Sequence, residues 1–471
     1  MSKASNITTN SKRLWKRLSQ FPLARIRYRF LFGVMLLLVA FTLMLSTPSY
    51  AKEHLTVWWN KGYYQAEDNA IRAVVSAFEK KTGIKVDLSL LSQEDIVTKA
   101  IAAVTAGDPP DVAFGAQFDL YAFGQWAYDN QLDNVSDIIK PMQDTLLPVA
   151  RQGVFVLNGH TGEKSYYGVP ISVTMVHVFY WQDLLKKLGY DPSDIPTGWN
   201  AFWNFWCGDV QSMLRKKRMR IYAVGNPTSV TGDTFAEFTV FLAAYNVHIV
   251  DQNGKLLLDQ PDVHQSLVDI LKQYVGIYQR GCTPPSSISW NDASNNDYLN
   301  NRTTVMTLNG SLSIPGYWLD QKNYKIYDHD LVTALMPNAI DGKPLINPVR
   351  DEAAVIFAAA KHKASAHAFL AFLMQPKNYD AYLRAGLGRN IPVTKDWLTE
   401  PFWTNDPQRG VAVKAYSEPM QPMPQVYNYR LTKVNSENVW GEAMLRMIQR
   451  HATAEQAVNW MAQRIKELVG Q

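Results

Sequence analysis

The apolar residues between Leu55 and Leu90 change their spacing twice. Leu55 to Trp59 is a short apolar run that favours a strand, and it ends at the turn Asn60-Lys61-Gly62. The next apolar residues have the i, i+3, i+4, i+7 spacing of one helix face, and they are Ile71, Val74, Val75 and Phe78. Gly83 ends this helix, and strand-like alternation then returns at Ile84, Val86, Leu88 and Leu90. The pattern predicts a βαβ unit.

Aromatic residues surround the end of the first predicted strand. Trp58 and Trp59 close the strand, and Tyr63 and Tyr64 follow the turn that contains Lys61. Ligands in open α/β sheets bind beyond the carboxyl ends of the strands. The stretch therefore predicts one wall of a ligand site. Successive residues of a strand face opposite sides of the sheet, and we expect Trp58 to lie in the core.

The alternation of strands and helices continues through the remaining chain. Strands are predicted at 111–114, 169–181, 305–308 and 353–360, with helical patterns between them. This order is typical of α/β proteins with largely parallel sheets. Because a chain of 471 residues is too long for one compact core, two domains are expected.

The first 51 residues have the pattern of an export signal. They contain eight basic residues, no acidic residue and the apolar run 31–45, and they end with Ser49 and Ala51 at the −3 and −1 positions of a cleavage site. These three features are typical of a secretory signal peptide. We predict that residues 1–51 are a signal peptide that directs the protein to the periplasm. An uncleaved membrane anchor is the alternative.

The charge of the mature chain argues against one class of partner. The whole chain carries a net charge of +5, but residues 52–471 contain 39 basic and 42 acidic residues, a net charge of −3. The positive charge therefore belongs to the predicted signal. The composition gives no support for nucleic-acid binding.

The positions of cysteine and histidine suggest no metal site. Cys207 and Cys282 are the two cysteines, and the sequence allows either a disulfide or two separate buried thiols. His362 and His367 are five residues apart on a predicted helix, which is not the i, i+4 spacing of a metal-binding pair. No metal and no cofactor are predicted.

The chain lacks the common catalytic and nucleotide-binding motifs. It contains no GxSxG, GxxxxGK[ST], HExxH or GxGxxG sequence. Their absence argues against an enzyme, although the two facing carboxylates of a glycosidase have no fixed sequence spacing. A binding protein is favoured, and a secreted carbohydrate-active enzyme is the alternative.

Five segments in order carry a resemblance to a known family. They are LTVWWNKGYYQAEDNAIRAVVSAFEKKTGIKV at 55–86, AIAAVTAGDPPDVAFG at 100–115, GVPISVTMVHVFYWQDLLKKLGY at 168–190, TTVMTLNGSLSIPGYW at 303–318 and GLGRNIPV at 386–393. The chain resembles an extracellular solute-binding protein of the maltose-type carbohydrate class, which serves ABC importers. The resemblance covers nearly the whole mature chain.

The resemblance implies an α/β fold of two lobes, the type II periplasmic-binding-protein fold. Each lobe would be a mixed, mostly parallel sheet flanked by helices, and a hinge would join them. By analogy, the N-terminal lobe comprises 52–170 plus 336–390, and the C-terminal lobe comprises 171–335 plus 391–471. The crossings between the lobes would be GVPISV, LVTALMP and GLGRNIP.

A sugar site needs aromatic rings that stack on apolar C–H faces and polar groups that bond hydroxyls. Charged groups make the stronger bonds of this kind. Matching to the family's binding loops implies these ligand-binding residues: Lys61, Tyr63, Tyr64, Glu67, Gln117, Asp119, Thr174, Asp233, Trp290, Asn309, Ser311, Arg350 and Tyr429. Thr174 departs from the carboxylate that relatives often have at that position, which puts its role in doubt.

The implied function is that of a non-catalytic periplasmic receptor. It would bind a neutral sugar, glycoside or polyol between the lobes, without a cofactor, and deliver it as a monomer to the membrane permease of an ABC importer with a cytoplasmic ATPase. A phosphorylated polyol such as glycerol phosphate is an alternative ligand on the same fold. The few basic candidates favour the neutral ligand.

Overall fold

The computed structural model describes residues 54–470, and the predicted signal peptide lies outside them. The strands are β1 (His54–Asn60), β2 (Lys85–Leu91), β3 (Val112–Phe114), β4 (Phe155–Leu157), β5 (Lys164–Tyr166), β6 (Val169–Met175), β7 (His177–Trp181), β8 (Tyr222–Val224), β9 (Thr304–Asn309), β10 (Leu331–Ala334), β11 (Asn347–Ile356) and β12 (Met420–Pro422).

The α-helices account for most of the remaining described chain. They are α1 (Gln65–Thr82), α2 (Gln93–Ala106), α3 (Phe118–Tyr121), α4 (Phe123–Tyr128), α5 (Ser136–Ile139), α6 (Pro148–Val154), α7 (Gln182–Leu188), α8 (Trp199–Asn204), α9 (Gln211–Lys216), α10 (Gly232–Ala244), α11 (Pro261–Gln279), α12 (Ser294–Asn300), α13 (Ser313–Asp320), α14 (Lys363–Leu373), α15 (Pro376–Ala385), α16 (Pro401–Thr404), α17 (Arg409–Ser417), α18 (Leu431–Ser436), α19 (Val439–Gln449) and α20 (Ala454–Val469). No helix within residues 54–470 is both long and apolar enough to span a bilayer.

The first sheet has six strands in the order β12-β11-β3-β1-β2, with β6 also paired to β11. The predicted βαβ unit is confirmed, because α1 joins two parallel neighbours, β1 and β2. The buried face of α1 contains Ile71, Val74 and Phe78, and Gly83 caps it with a φ of 76°. β3 is parallel to β1, so the loops after these three strands lie at one edge of the sheet.

The second sheet has four strands in the order β10-β7-β9-β8. β7 runs antiparallel to both β10 and β9, and only the β8–β9 pair is parallel. This sheet is therefore less parallel than the sequence predicts. Antiparallel strands pair without the helical crossover that the alternation of strands and helices suggests.

The chain passes between the two sheets twice, and the third predicted crossing, GLGRNIP, bridges to the first sheet. β6 ends in the first sheet at Met175, and β7 begins in the second at His177. The second passage lies between β10 and β11, so LVTALMP begins inside the second sheet and is not itself the crossing strand. In the third predicted crossing, Ile391 bridges to Val173 of β6. The predicted boundary between residues 170 and 171 falls inside β6, and the lobe boundaries remain predictions.

Trp59, and not Trp58, is the core residue at the end of β1. Trp59 is fully buried, and its Nε1 donates to the hydroxyl of Tyr382 on α15 at 3.0 Å. Trp58 is half-buried on the opposite face. Alternation along a strand does not reveal which face a helix covers. Other tryptophans also lie fully within the core, namely Trp181, Trp199, Trp203, Trp206, Trp397, Trp403 and Trp440.

Cys207 and Cys282 form a disulfide, with their Cα atoms 5.3 Å apart and a sequence separation of 75. Cys207 lies in a π-helical segment, Phe205–Val210, and Cys282 follows α11. Both sulfurs are buried within the elements that surround the second sheet.

His177 is buried where the chain enters the second sheet. Its Nδ1 donates to the carbonyl of Met175 at 2.7 Å, and Nε2 has no hydrogen-bond partner among the described residues. Burial lowers the pKa of His177 to about 4, and the Met175 carbonyl offsets this only in part. The unfolded chain therefore binds a proton at a higher pH than the folded chain does.

This buried histidine predicts a loss of stability in acid. As the pH falls from about 6.5 to about 4, His177 takes up a proton in the unfolded chain before it does so in the folded chain. We expect this to lower the free energy of unfolding by about 2 kcal/mol. His177→Gln should remove most of that loss, as measured by urea unfolding at both pH values. An equal pH dependence in the two proteins would contradict the assignment.

Candidate functional site

A cavity of about 390 Å³ opens where loops from both sheets meet. Its volume lies in the range of small-molecule sites. Lys61 and Tyr63 follow β1, Gln93 follows β2, and Gln117 follows β3. The first wall is thus built from the carboxyl ends of neighbouring parallel strands, as the sequence predicts.

Arg350 lies on β11 at the base of this wall, beside Thr174 on β6. Its Nε and Nη2 donate to the two carboxylate oxygens of Asp119 at 3.0 Å and 2.8 Å, and Nη2 also donates to the Ala116 carbonyl at 2.7 Å. Burial alone would lower the pKa of Arg350, but the Asp119 carboxylate outweighs it and the pKa is raised. Arg350 is therefore held rigidly and is already paired.

Arg389, from the GLGRNIPV segment, is a second cation in the cavity wall, and its side chain is 15% exposed. Its Nη1 donates to Glu67 Oε2 at 2.9 Å, and the side-chain amide of Asn390 donates to the same oxygen at 3.2 Å. Burial opposes the charge of Arg389, yet Glu67 and Glu352 raise its pKa. This cation is also paired before any ligand arrives.

Glu352 interacts electrostatically with both arginines. Its Oε2 accepts from the hydroxyl of Ser172 at 2.5 Å. Burial raises the pKa of Glu352, while Arg350 and Arg389 act in the opposite direction. We call the alternating charges at the base of the cavity the charged floor: Glu67, Arg389, Glu352, Arg350 and Asp119. The charged floor contains two positive and three negative groups.

The opposite wall comes from the second sheet and the helices next to it. Asn309 ends β9, and its side chain binds the side chain of Asn296 on α12. The Asn309 side-chain oxygen accepts from the backbone N–H of Ser311 at 2.8 Å. This network fixes amide and hydroxyl groups that face the cavity.

Asp233 and Asp292 form the acidic part of that wall. Asp233 lies in the first turn of α10, and its backbone N–H donates to Asp292 Oδ1 at 3.0 Å. The other oxygen of Asp292 accepts from Gln117 Nε2 at 2.6 Å. Because Gln117 follows β3, this hydrogen bond joins the walls that the two sheets supply.

A family model described as "bacterial extracellular solute-binding protein" matches residues 73–411. The chain belongs to this family. The solute-binding protein is also 21% identical over 372 residues to the putative ABC transporter periplasmic-binding protein YcjN of Escherichia coli K12, covering 73% of this chain and 74% of that one.

Solved solute-binding proteins share the fold. A protein from Thermotoga lettingae bound to α-D-tagatose is 20% identical and covers 89% of this chain and 100% of its own, with a TM-score of 0.73. One from Agrobacterium radiobacter in complex with ribitol is 17% identical, covers 88% and 98%, and has a TM-score of 0.71. Maltose-bound MalE3 of Thermotoga maritima is 17% identical, covers 88% and 100%, and has a TM-score of 0.69. The two-lobed α/β fold is thereby confirmed.

Eight of the predicted ligand-binding residues line the cavity of the solute-binding protein. They are Lys61, Tyr63, Gln117, Thr174, Asp233, Asn309, Ser311 and Arg350. Tyr63 is the one aromatic side chain among the described residues of the wall, and it is 38% exposed. The sequence predicts several aromatic rings on which a sugar could stack, but the described wall provides one.

Three predicted residues lie behind the wall. Glu67 and Asp119 are not at the cavity surface, because each is turned toward its arginine in the charged floor. Tyr64 is 4% exposed, and its hydroxyl donates to the Ser313 carbonyl at 2.7 Å. These residues position others that line the cavity.

Trp290 and Tyr429 lie away from the cavity. Trp290 is 5% exposed, packs on the ring of Tyr298 and donates to the hydroxyl of Ser286 at 3.1 Å. Tyr429 stacks on Tyr128 with ring centroids 3.9 Å apart. In both cases the ring that was expected to stack on a sugar packs against another aromatic ring of the chain.

Several polar residues of the wall were not predicted from the sequence: Asp292, Asn296, Glu352, Arg389 and Asn390. Two signals were available. Arg389 and Asn390 lie in GLGRNIPV, which we took only as a crossing, and Asp292 and Asn296 lie in an Asn- and Asp-rich stretch beside Trp290. Glu352 is two residues from Arg350, so both side chains emerge on the same face of β11.

Proposed function

We propose that this solute-binding protein is the substrate-binding component of an ABC importer, and that it binds a sugar, glycoside or polyol in the cavity. The observation that carries the proposal is a polar cavity of about 390 Å³ whose hydrogen-bonding groups come from both sheets. Polyhydroxylated ligands match such a wall because each hydroxyl both donates and accepts. The family places the protein among binding proteins, and we infer that it catalyses no reaction.

The solved relatives support this ligand class. Their bound ligands include tagatose, ribitol and maltose, and a further one from Arthrobacter chlorophenolicus holds laminaribiose. A phosphorylated ligand is less well matched, because Arg350 and Arg389 are each occupied by a carboxylate. A phosphate would have to compete with Asp119 and Glu67 for them.

The mechanism is ligand-dependent closure of the two lobes. A ligand that contacts both walls favours the closed form by the difference between its affinities for the closed and open forms. The Gln117–Asp292 hydrogen bond joins the same two walls without a ligand. We propose that a monomeric protein, exported by residues 1–51 to the periplasm, presents the closed form to the membrane permease.

Isothermal titration against tagatose, ribitol, maltose and laminaribiose tests the proposal, with small-angle scattering on the same samples. We expect at least one ligand to bind and to reduce the radius of gyration. Asn309→Ala, which removes a hydrogen-bonding group from the second wall, should weaken that binding, whereas Asn405→Ala outside the cavity should not. Binding without compaction, or turnover of an oligosaccharide by the isolated protein, would contradict the proposed mechanism.

A further inference from the structure

Asp233 and Asp292 are two carboxylates in the cavity wall that lack a cationic partner. Within residues 54–470, neither forms an ion pair with a lysine or an arginine. Arg350 lies near enough to act on Asp233 electrostatically, but its guanidinium is bonded to both oxygens of Asp119. Arg350 therefore offsets the charge of Asp233 only through space, and no described cation is bonded to either carboxylate.

The local hydrogen bonds explain only one of the two carboxylates. Asp292 is stabilised at the N-terminus of α10, where it accepts from the backbone N–H of Asp233, and its other oxygen accepts from Gln117. Among residues 54–470, the Asp233 side chain receives its hydrogen bond from the side chain of Asn295. Burial and the charge of Asp292 raise the pKa of Asp233. No described lysine or arginine is bonded to Asp233, so its carboxylate lacks the direct partner that Asp119 and Glu67 have in Arg350 and Arg389.

The Glu352 carboxylate is a third hydrogen-bond acceptor in the cavity, and it also adds to the excess of acidic groups there. Glu352 is 6% exposed and lines the cavity, and only its Oε2 has a hydrogen-bond donor among the described residues. The charged floor already holds one more negative than positive group. Lys61, on the exposed rim, is the one cation of the wall without an ion-pair partner among the described residues. Glu94 also lines the cavity, and the formal charges of the floor, Lys61, Glu94, Asp233 and Asp292 together give −3.

We propose that the cavity takes a sugar or polyol that carries a protonated amino group, and that this group binds at Asp233 and Asp292. An ammonium group supplies the missing charge and up to three N–H donors, whereas a hydroxyl supplies one donor and no charge. The inference rests on the proposed function, because it names the ligand class of the same cavity. The same carboxylates repel phosphorylated and uronic acid ligands.

The competing explanation is that Asp233 is protonated and donates to a hydroxyl of a neutral sugar. The two explanations differ in the ligand they favour. A protonated Asp233 behaves like an amide donor, so Asp233→Asn would preserve binding of a neutral ligand and change no preference. An ionised Asp233 that binds an ammonium group cannot be replaced by asparagine without losing the preference for the amine.

The test is isothermal titration at pH 7 with matched sets of ligands: glucose, glucosamine and N-acetylglucosamine; sorbitol and 1-amino-1-deoxysorbitol; cellobiose, the chitosan dimer and its diacetylated form. We expect an amine to bind at least tenfold more tightly than its hydroxyl and N-acetyl counterparts. Asp233→Asn should reduce that ratio to below threefold. Asp297→Asn, on the exposed side of α12, is the matched control and should leave the ratio unchanged.

The outcomes separate this inference from the proposed function. Binding of neutral members with no preference for the amines overturns the inference and leaves the proposed function standing. A preference that survives in Asp233→Asn overturns the assignment of the amine to Asp233. Binding of no member of any set, together with no binding of the neutral panel above, contradicts both.

Discussion

Arg350→Met is expected to destabilise the protein by about 3–5 kcal/mol, because it leaves the Asp119 carboxylate buried without a partner. The side chains of Arg350 and Asp119 are only 12% and 11% exposed, and two hydrogen bonds join them. The variant also removes the donor that holds the Ala116 carbonyl. Urea unfolding of the two proteins at neutral pH measures the difference.

Two further variants separate the lost charge from the lost side chain. Lys361→Met breaks an ion pair with Asp108 whose side chains are 73% and 74% exposed, and we expect little change. The double variant Arg350→Met with Asp119→Asn removes both charges and should recover much of the stability lost in the single variant. A single variant as stable as Lys361→Met would contradict our description of the charged floor.

Removal of the Cys207–Cys282 disulfide is the second large effect that we expect. The bond closes a loop of 75 residues around the second sheet, and a cross-link of that span restricts the unfolded chain. Cys207→Ala with Cys282→Ala should lower the free energy of unfolding by about 2–5 kcal/mol. Urea unfolding without a reducing agent measures the loss.

Reduction of the wild-type protein provides the matched control for the disulfide. Dithiothreitol should lower the stability of the wild type to that of the double variant and should leave the variant itself unchanged. Titration of thiols in denaturant without a reductant should find no free thiol. Two free thiols in the purified protein would show that the pair is unbonded and would remove the basis of this prediction.

The sequence was most informative where a feature is local. The spacing of Ile71, Val74 and Phe78 and the stop at Gly83 are sufficient to define α1, because amphipathic periodicity and a left-handed cap act within one helix. The position of the cavity at strand ends follows in the same way, from the parallel order of β1, β2 and β3. The family resemblance added the second wall.

Pairs that are distant in sequence were not predictable in this way. Asp119 and Arg350 are 231 residues apart, and Glu67 and Arg389 are 322 residues apart. The binding loops therefore suggested the two carboxylates as ligand contacts, although each serves to hold an arginine in the wall. Long-range pairing depends on the tertiary fold, and the period of a single segment carries no information about it.

Two aromatic candidates lie outside the cavity for a related reason. Trp290 and Tyr429 are suitable for stacking on a sugar, yet each packs on a ring from elsewhere in the chain, Tyr298 or Tyr128. Residue type indicates what a side chain can bind, but the tertiary fold decides which group contacts it. The cavity wall is therefore mainly polar and charged, and Tyr63 supplies its aromatic ring.

A crystal structure with the ligand that binds most tightly in the titrations tests the central claim most directly. We expect the ligand in the cavity, with hydrogen bonds to Lys61 or Gln117 on the first wall and to Asp233 or Asn309 on the second. The arginines of the charged floor should keep their pairing with Asp119 and Glu67. A ligand bound outside the cavity, or one that contacts a single wall, would contradict the account.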